Sequence, residues 1–144
     1  MKLNTKVRYG LRTMMEIALQ PENKGIFQKD IAKNQHISEK YLDLIISSLK
    51  INGLITNTSG KKSGYILKRP SSEISIYDIY KSFEPELAIV HCLENPTFCG
   101  ISDCCAAKEL WNELNVINKK FLTKNTLEDL VKKHKKLIGK STVK

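Results

Sequence analysis

The sequence predicts a mostly α-helical fold with one small β-hairpin, on three observations. Apolar residues recur at spacings of three and four through most of the chain. Two short β-rich runs flank the turn "SGKKSG", and a long amphipathic stretch follows in the last third. With 144 residues, 41% hydrophobic and 27% charged, the chain can bury one real core but not two full-sized ones.

The elements follow in order. "KVRYGLRTMMEIALQ" (6–20) places Val7, Leu11, Met14, Met15, Ala18 and Leu19 on one helical stripe, and "PENKG" (21–25) ends it with turn residues. "FQKDIAKNQ" (27–35) reads as a short helix with Phe27, Ile31 and Ala32 on its apolar side. Ser38 then suits the N-cap of a longer helix, "EKYLDLIISSLKING", whose buried stripe is Tyr41, Leu42, Ile45, Ile46 and Leu49. Gly53 stands where a glycine ends such a helix. "LITNTS" and "SGYILK" form the hairpin around Gly60, Lys61 and Lys62.

Two short helices around a tight turn, then a hairpin, make a winged helix-turn-helix. The charge distribution fits it. Residues 1–70 carry 13 Lys+Arg against 5 Asp+Glu, residues 71–115 carry 2 against 8, and residues 116–144 carry 9 against 2. Cationic side chains displace the counterions condensed on phosphates, so the basic N-terminal half is the footprint of a nucleic-acid binder. The candidate DNA contacts are Gln28, Ser38, Glu39, Lys40, Tyr41 and Asp43 around the second helix, with Lys61 and Lys62 on the wing. A helical bundle with a basic surface is the competing reading of the same pattern.

The residues also carry a resemblance. "RYGLRTMMEIAL", "IAKNQHISEKYLDLIISSLKINGLI", "SGYILKRP" and "ISIYDIYKSFE" together resemble the IscR/NsrR/CymR family of bacterial regulators, also called the Rrf-two family. The likeness runs from Met1 to about Lys136. It implies a cytoplasmic homodimer of the repressor type whose long C-terminal helices cross, with two winged heads on a palindromic double-stranded operator. The implied division is 1–84 for the DNA-binding domain, 85–105 for a cysteine-rich cofactor loop, and 106–144 for the dimerisation helix and C-terminal tail.

All four cysteines fall in "CLENPTFCGISDCC" (92–105). The N-terminus shows no signal-peptide pattern and no run is long enough to span a membrane, so a cytosolic setting is expected, where clustered thiols serve metal or redox chemistry. The resemblance implies an iron–sulfur cluster, of 2Fe–2S or 4Fe–4S type, held by Cys92, Cys99 and Cys105, with Trp111 six residues beyond the last. Zinc is the alternative ligand, although the spacing lacks paired C-x2-C knuckles; a thiol-only loop is another. Two departures matter. Lys108 stands where cluster-binding relatives have a histidine, and Arg8 where nitric-oxide sensors have an aspartate. The candidate fourth ligands are therefore Cys104, Glu94, His91 or a residue of a partner subunit. Ser59 replaces a wing arginine usual in the family, so minor-groove contact falls to Lys61 and Lys62.

No catalytic constellation is present: His36, His91 and His134 lack a helical His partner, and no phosphate loop occurs. The carboxylates of residues 73–113 have no basic partner at sequence pairing distance, and most are expected to be solvated. Leu110, Trp111, Leu114, Ile117, Phe121 and Leu122 form a wide stripe that a partner subunit would cover. Thr126 and Asp129 form a capping box for "LEDLVKKHKKL", and "IGKSTVK" is expected to fray. The reading is a dimeric DNA-binding regulator sensing iron–sulfur, redox or nitric-oxide state. A cluster-free regulator governed by a partner protein or thiol oxidation, and a zinc-stabilised scaffold without a DNA role, are its alternatives.

Overall fold

Helix α1 (Thr5–Ala18) starts at Asn4, whose side chain accepts the Lys6 N–H at 2.8 Å. The computed structural model describes residues 2–60 and 63–141. Val7, Met14 and Ile17 on α1 face the core, and Gly10 leaves space that the Phe83 ring fills, since a Cβ there would lie 2.2 Å from that ring. Helices α2 (Gln28–Gln35) and α3 (Glu39–Ile51) follow, joined through His36 in the left-handed region at φ 53°. Ser38 caps α3 as expected, accepting from the Tyr41 N–H at 3.1 Å, and Gly53 ends it at φ 69°. Leu42, Ile45, Ile46 and Leu49 are buried, whereas Tyr41 is only half-buried.

Strands β1 (Ile55–Asn57) and β2 (Tyr65–Leu67) pair antiparallel in the register Ile55–Leu67, Thr56–Ile66, Asn57–Tyr65. On its other edge Tyr65 bridges Ile26, so β2 is central. Phe27 departs from the expectation. It is the N-cap of α2 and exposed, because the chain leaves the Ile26 bridge extended and only Ile31 and Ala32 then turn inward.

Helix α4 (Ile76–Lys81) begins with a capping box in which Ser75 and Asp78 exchange hydrogen bonds. A loop of short turns carries α5 (His91–Glu94), and α6 (Ala106–Lys124) and α7 (Leu127–Ser141) complete the chain. Thr126 and Asp129 cap α7 as expected; the Thr126 N–H, then its hydroxyl, hold the Asp129 carboxyl below the usual carboxylate range. A bridge between Ser75 and Thr126, with Leu127 N–H to Ile74 O at 2.8 Å and Ile76 N–H to Asn125 O at 2.9 Å, fastens the start of α7 to the start of α4. Leu127, fully buried, joins Met14, Leu42, Ile74 and Ile79 in one core.

Two sequence expectations change. In the tail "IGKSTVK", expected to fray, Ile138 to Ser141 form the last turn of α7, and residues 142–144 lie outside the described residues. Acidic residues of 73–113 do find basic partners: Asp78 meets Arg69 at 3.0 Å and Glu86 meets Lys81 at 3.3 Å. The first pair spans nine residues because the chain turns between β2 and α4, which a sequence spacing rule does not see.

Candidate DNA-reading face and thiol cleft

The helix-turn-helix is latched to α1 by polar side chains. Arg12 donates to Gln35 Oε1 at 2.6 Å and to its carbonyl at 3.0 Å, while Glu16 accepts from Gln35 at 2.5 Å and from Asn34 at 3.1 Å. Arg12 also lies 5.1 Å over the Tyr9 ring, which meets Tyr41 edge-on at 5.8 Å. Helix α2 thus has a fixed seat against α1.

Glu39, Lys40 and Asp43 are exposed at the start of α3. Ser38 uses its hydroxyl as the cap, and Tyr41 is packed on Tyr9. Gln28 is brought to the same place: its amide N–H groups reach the Glu39 carbonyl at 3.2 Å and Asp43 Oδ1. The Tyr65 hydroxyl donates to Gln28 Oε1 at 3.3 Å. Burial, then the Asp43 carboxylate, raises the Tyr65 phenol above its ordinary value, so it remains a donor at neutral pH. Sequence reasoning did not single out Tyr65. The signal that could have found it is an aromatic residue opening β2 beside the glycine-rich turn. Lys61 and Lys62 lie outside the described residues.

The second constellation sits where α5 and the turns after it meet α6. Cys92, Cys104 and Cys105 line a cleft of about 620 Å³ with Ser102, Lys108 and Asn112. Cys99 ends the neighbouring 3-10 turn and is not part of that lining. Cys105 is the N-cap of α6 and half-buried; Cys104 is exposed, its thiol donating to the Ile101 carbonyl at 3.6 Å. The Lys108 ammonium is tied to the buried Ser102, donating to Oγ at 2.5 Å and to the carbonyl at 3.5 Å. His91 and Glu94 pair with each other at 3.7 Å, and Arg8 is exposed on α1. Among the described residues no three Cys, His or carboxylate groups stand close enough to hold a metal ion. The donors are nonetheless of the right chemistry for a thiolate-held cluster: three sulfurs border one cleft and a fourth lies one turn away.

Helix α6 leaves that cleft with none of its 19 residues buried. Leu110, Trp111, Leu114, Ile117 and Phe121 are exposed, and Leu122 alone of the expected stripe is half-buried, against Val7, Tyr80 and Leu87. Among the described residues no helix is long and apolar enough to cross a membrane.

The model of the Rrf2 family, described as iron-dependent transcriptional regulators, matches residues 3–133. The chain is 35% identical over 132 residues to the protein rrf2 of Nitratidesulfovibrio vulgaris, covering 92% of this chain and 88% of that one. It is 30% identical to the transcriptional regulator IscR of Xenorhabdus nematophila, over 92% and 80% of the two chains. Among solved structures, CymR, the global cysteine regulator of B. subtilis, superposes with a TM-score of 0.77 at 32% identity over 92% of this chain and 97% of that one. IscR of T. potens superposes at 0.76 and 28% identity, over 93% and 88%. The fold, the winged head and these likenesses converge: the chain belongs to the Rrf2 family of DNA-binding transcriptional regulators and is not an enzyme.

Proposed function

We propose that this protein is a homodimeric regulator that reads a palindromic duplex with two winged heads and takes its signal at the cysteine loop. The observation that carries the reading is helix α6: 19 residues without one buried, beginning at the N-cap Cys105. An apolar stripe of that length exposed on a soluble chain calls for cover, and a second copy offers the same stripe across a two-fold axis. Whatever fixes Cys92 and Cys105 relative to each other therefore fixes α5 to the first turn of the helix that joins the subunits.

An iron–sulfur cluster held there would supply a link sensitive to oxidation and nitric oxide, with Cys92, Cys99 and Cys105 as ligands and Cys104 the candidate fourth. The chain's own contribution is positional. Lys108, tied to Ser102, holds the last 3-10 turn against the first turn of α6, and its ammonium has no lone pair to offer a metal. Loosening of the loop would then free α6 at one end and change the spacing of the two recognition helices.

A specific observation favours a second reading. The thiols do not converge as the chain stands, and CymR regulators, one of them solved in an oxidized form, are among the structural neighbours. The second reading is a cluster-free regulator that responds through thiol oxidation or a partner protein.

Iron and acid-labile sulfide content of anaerobically purified protein separates the two, with binding to duplex DNA measured before and after air exposure. Cluster sensing predicts at least two irons per chain and an air-dependent change in affinity. Iron-free protein that still changes its affinity on oxidation would establish the second reading. On the wing, neutralising Lys61 and Lys62 should flatten the salt dependence of binding by about one to two units per head. An unchanged slope would remove the wing from the interface.

A further inference from the structure

We infer that Tyr65, on the wing, is a positioning residue for base preference: through Gln28 it sets the carboxylate of Asp43 on the recognition helix. The inference rests on the DNA-reading role proposed for α3.

The Gln28 amide has an acceptor oxygen and a two-hydrogen donor, and both ends are engaged. Its nitrogen faces two oxygens that can only accept, the Glu39 carbonyl and Asp43 Oδ1. Its oxygen faces the Tyr65 hydroxyl at 3.3 Å, a donor. A flipped amide would set oxygen against two acceptors, so the orientation is fixed by its partners. Both N–H groups of Gln28 are thereby spent, and one lone pair of its oxygen is all that it has left.

The anchor behind it is stiff. Tyr65 pairs through its backbone with Ile26 on one edge, at 2.9 and 3.1 Å, and stands opposite Asn57 on the other. Ile26 lies two residues before Gln28, so one bridge locates both ends of the Tyr65–Gln28 hydrogen bond. Lys50 closes the far side, 5.9 Å over the Tyr65 ring and donating to Asn57 at 2.8 Å.

Asp43, an exposed residue of α3, thus has Oδ1 held by Gln28, which leaves Oδ2 as the oxygen for a base. A carboxylate only accepts. It therefore favours a base presenting an exocyclic amine in the major groove, cytosine or adenine, and opposes the acceptor edges of guanine and thymine. Without the Tyr65 hydroxyl, Gln28 can rotate and that carboxylate loses its bearing. The wing would thereby influence a base that it does not touch.

The test is selection from a randomised double-stranded DNA library with the full chain, at one fixed salt concentration, followed by sequencing. The proteins compared are wild type, Tyr65→Phe, Gln28→Leu and Asp43→Asn. Phe keeps the ring and its packing, and thermal melting checks that each variant is folded. Asp43→Asn should abolish the preference for an amine-bearing base at one position. Tyr65→Phe should weaken preference at that same position about fivefold, the worth of one net hydrogen bond, and leave other positions and the salt slope unchanged. Gln28→Leu should do the same, which keeps the inference testable if the phenylalanine variant melts early. A Tyr65→Phe profile identical to wild type, or a uniform loss at all positions, would overturn the inference. So would an Asp43→Asn profile that changes nothing. No enrichment by wild-type protein would instead sink the DNA-reading role itself.

Discussion

Cys104 and Cys105 are neighbours in sequence with different surroundings. Cys104 is exposed and its thiol turns back to the Ile101 carbonyl at 3.6 Å, whereas Cys105 is half-buried as the N-cap of α6. After anaerobic reconstitution, Cys105→Ala should therefore lose the visible absorption and its iron, while Cys104→Ala keeps most of both; metal analysis per chain decides it. The reverse outcome would move the ligand set by one residue. At this scale the sequence showed which residue types gather but not how they turn. Lys108 was legible as a departure in a ligand position; its tie to Ser102 was not, because a 3-10 turn brings the serine back over six residues. Gln28 and Asp43 were legible as candidate DNA contacts. That they bond to each other depends on the angle between α2 and α3, which periodicity does not encode.

The elements themselves were written more openly. Ser38 and Thr126 announced two helix starts, Gly53 an end, and the β-rich runs around the glycine-lysine turn the hairpin. Phe27 misled because an apolar residue at helical spacing can equally be an exposed N-cap. Helix α6 was legible as an amphipathic stripe, and that stripe lies bare, with Ile117 at 62% and Phe121 at 65% exposure. If a second copy covers it, placing a charge at Leu114 should leave monomers or aggregates at micromolar concentration where the unaltered chain forms dimers. Light scattering reads the mass directly, and a monodisperse monomer of the unaltered chain would remove the interface from this face.

At the scale of the whole molecule the least legible feature was where α7 belongs. Its apolar pattern predicted a helix and a cap, but nothing in the pattern said that Leu127 enters the same core as Met14 and Leu42, more than eighty residues earlier. Hydrophobic spacing identifies a face and leaves its receiver unnamed; the pairing of Ser75 with Thr126 and the backbone hydrogen bonds on either side of it name it. Leu127→Ala should destabilise the winged head itself, by about 2–5 kcal/mol, because a fully buried side chain is removed from a shared core. Urea unfolding followed by tyrosine fluorescence checks this. A loss confined to the C-terminal helix, with the head melting as before, would contradict it.

The seam between Ile74–Ile76 and Asn125–Leu127 makes the peptide backbone between α4 and α6 redundant as a tether. A single cut among residues 95–101, in the exposed turns of the cysteine loop, would yield two polypeptides still held by a common core. Limited proteolysis should therefore show two bands under denaturing conditions and an undivided particle under native ones. Covalent continuity through the loop would then be needed only to carry a signal, since the architecture survives without it.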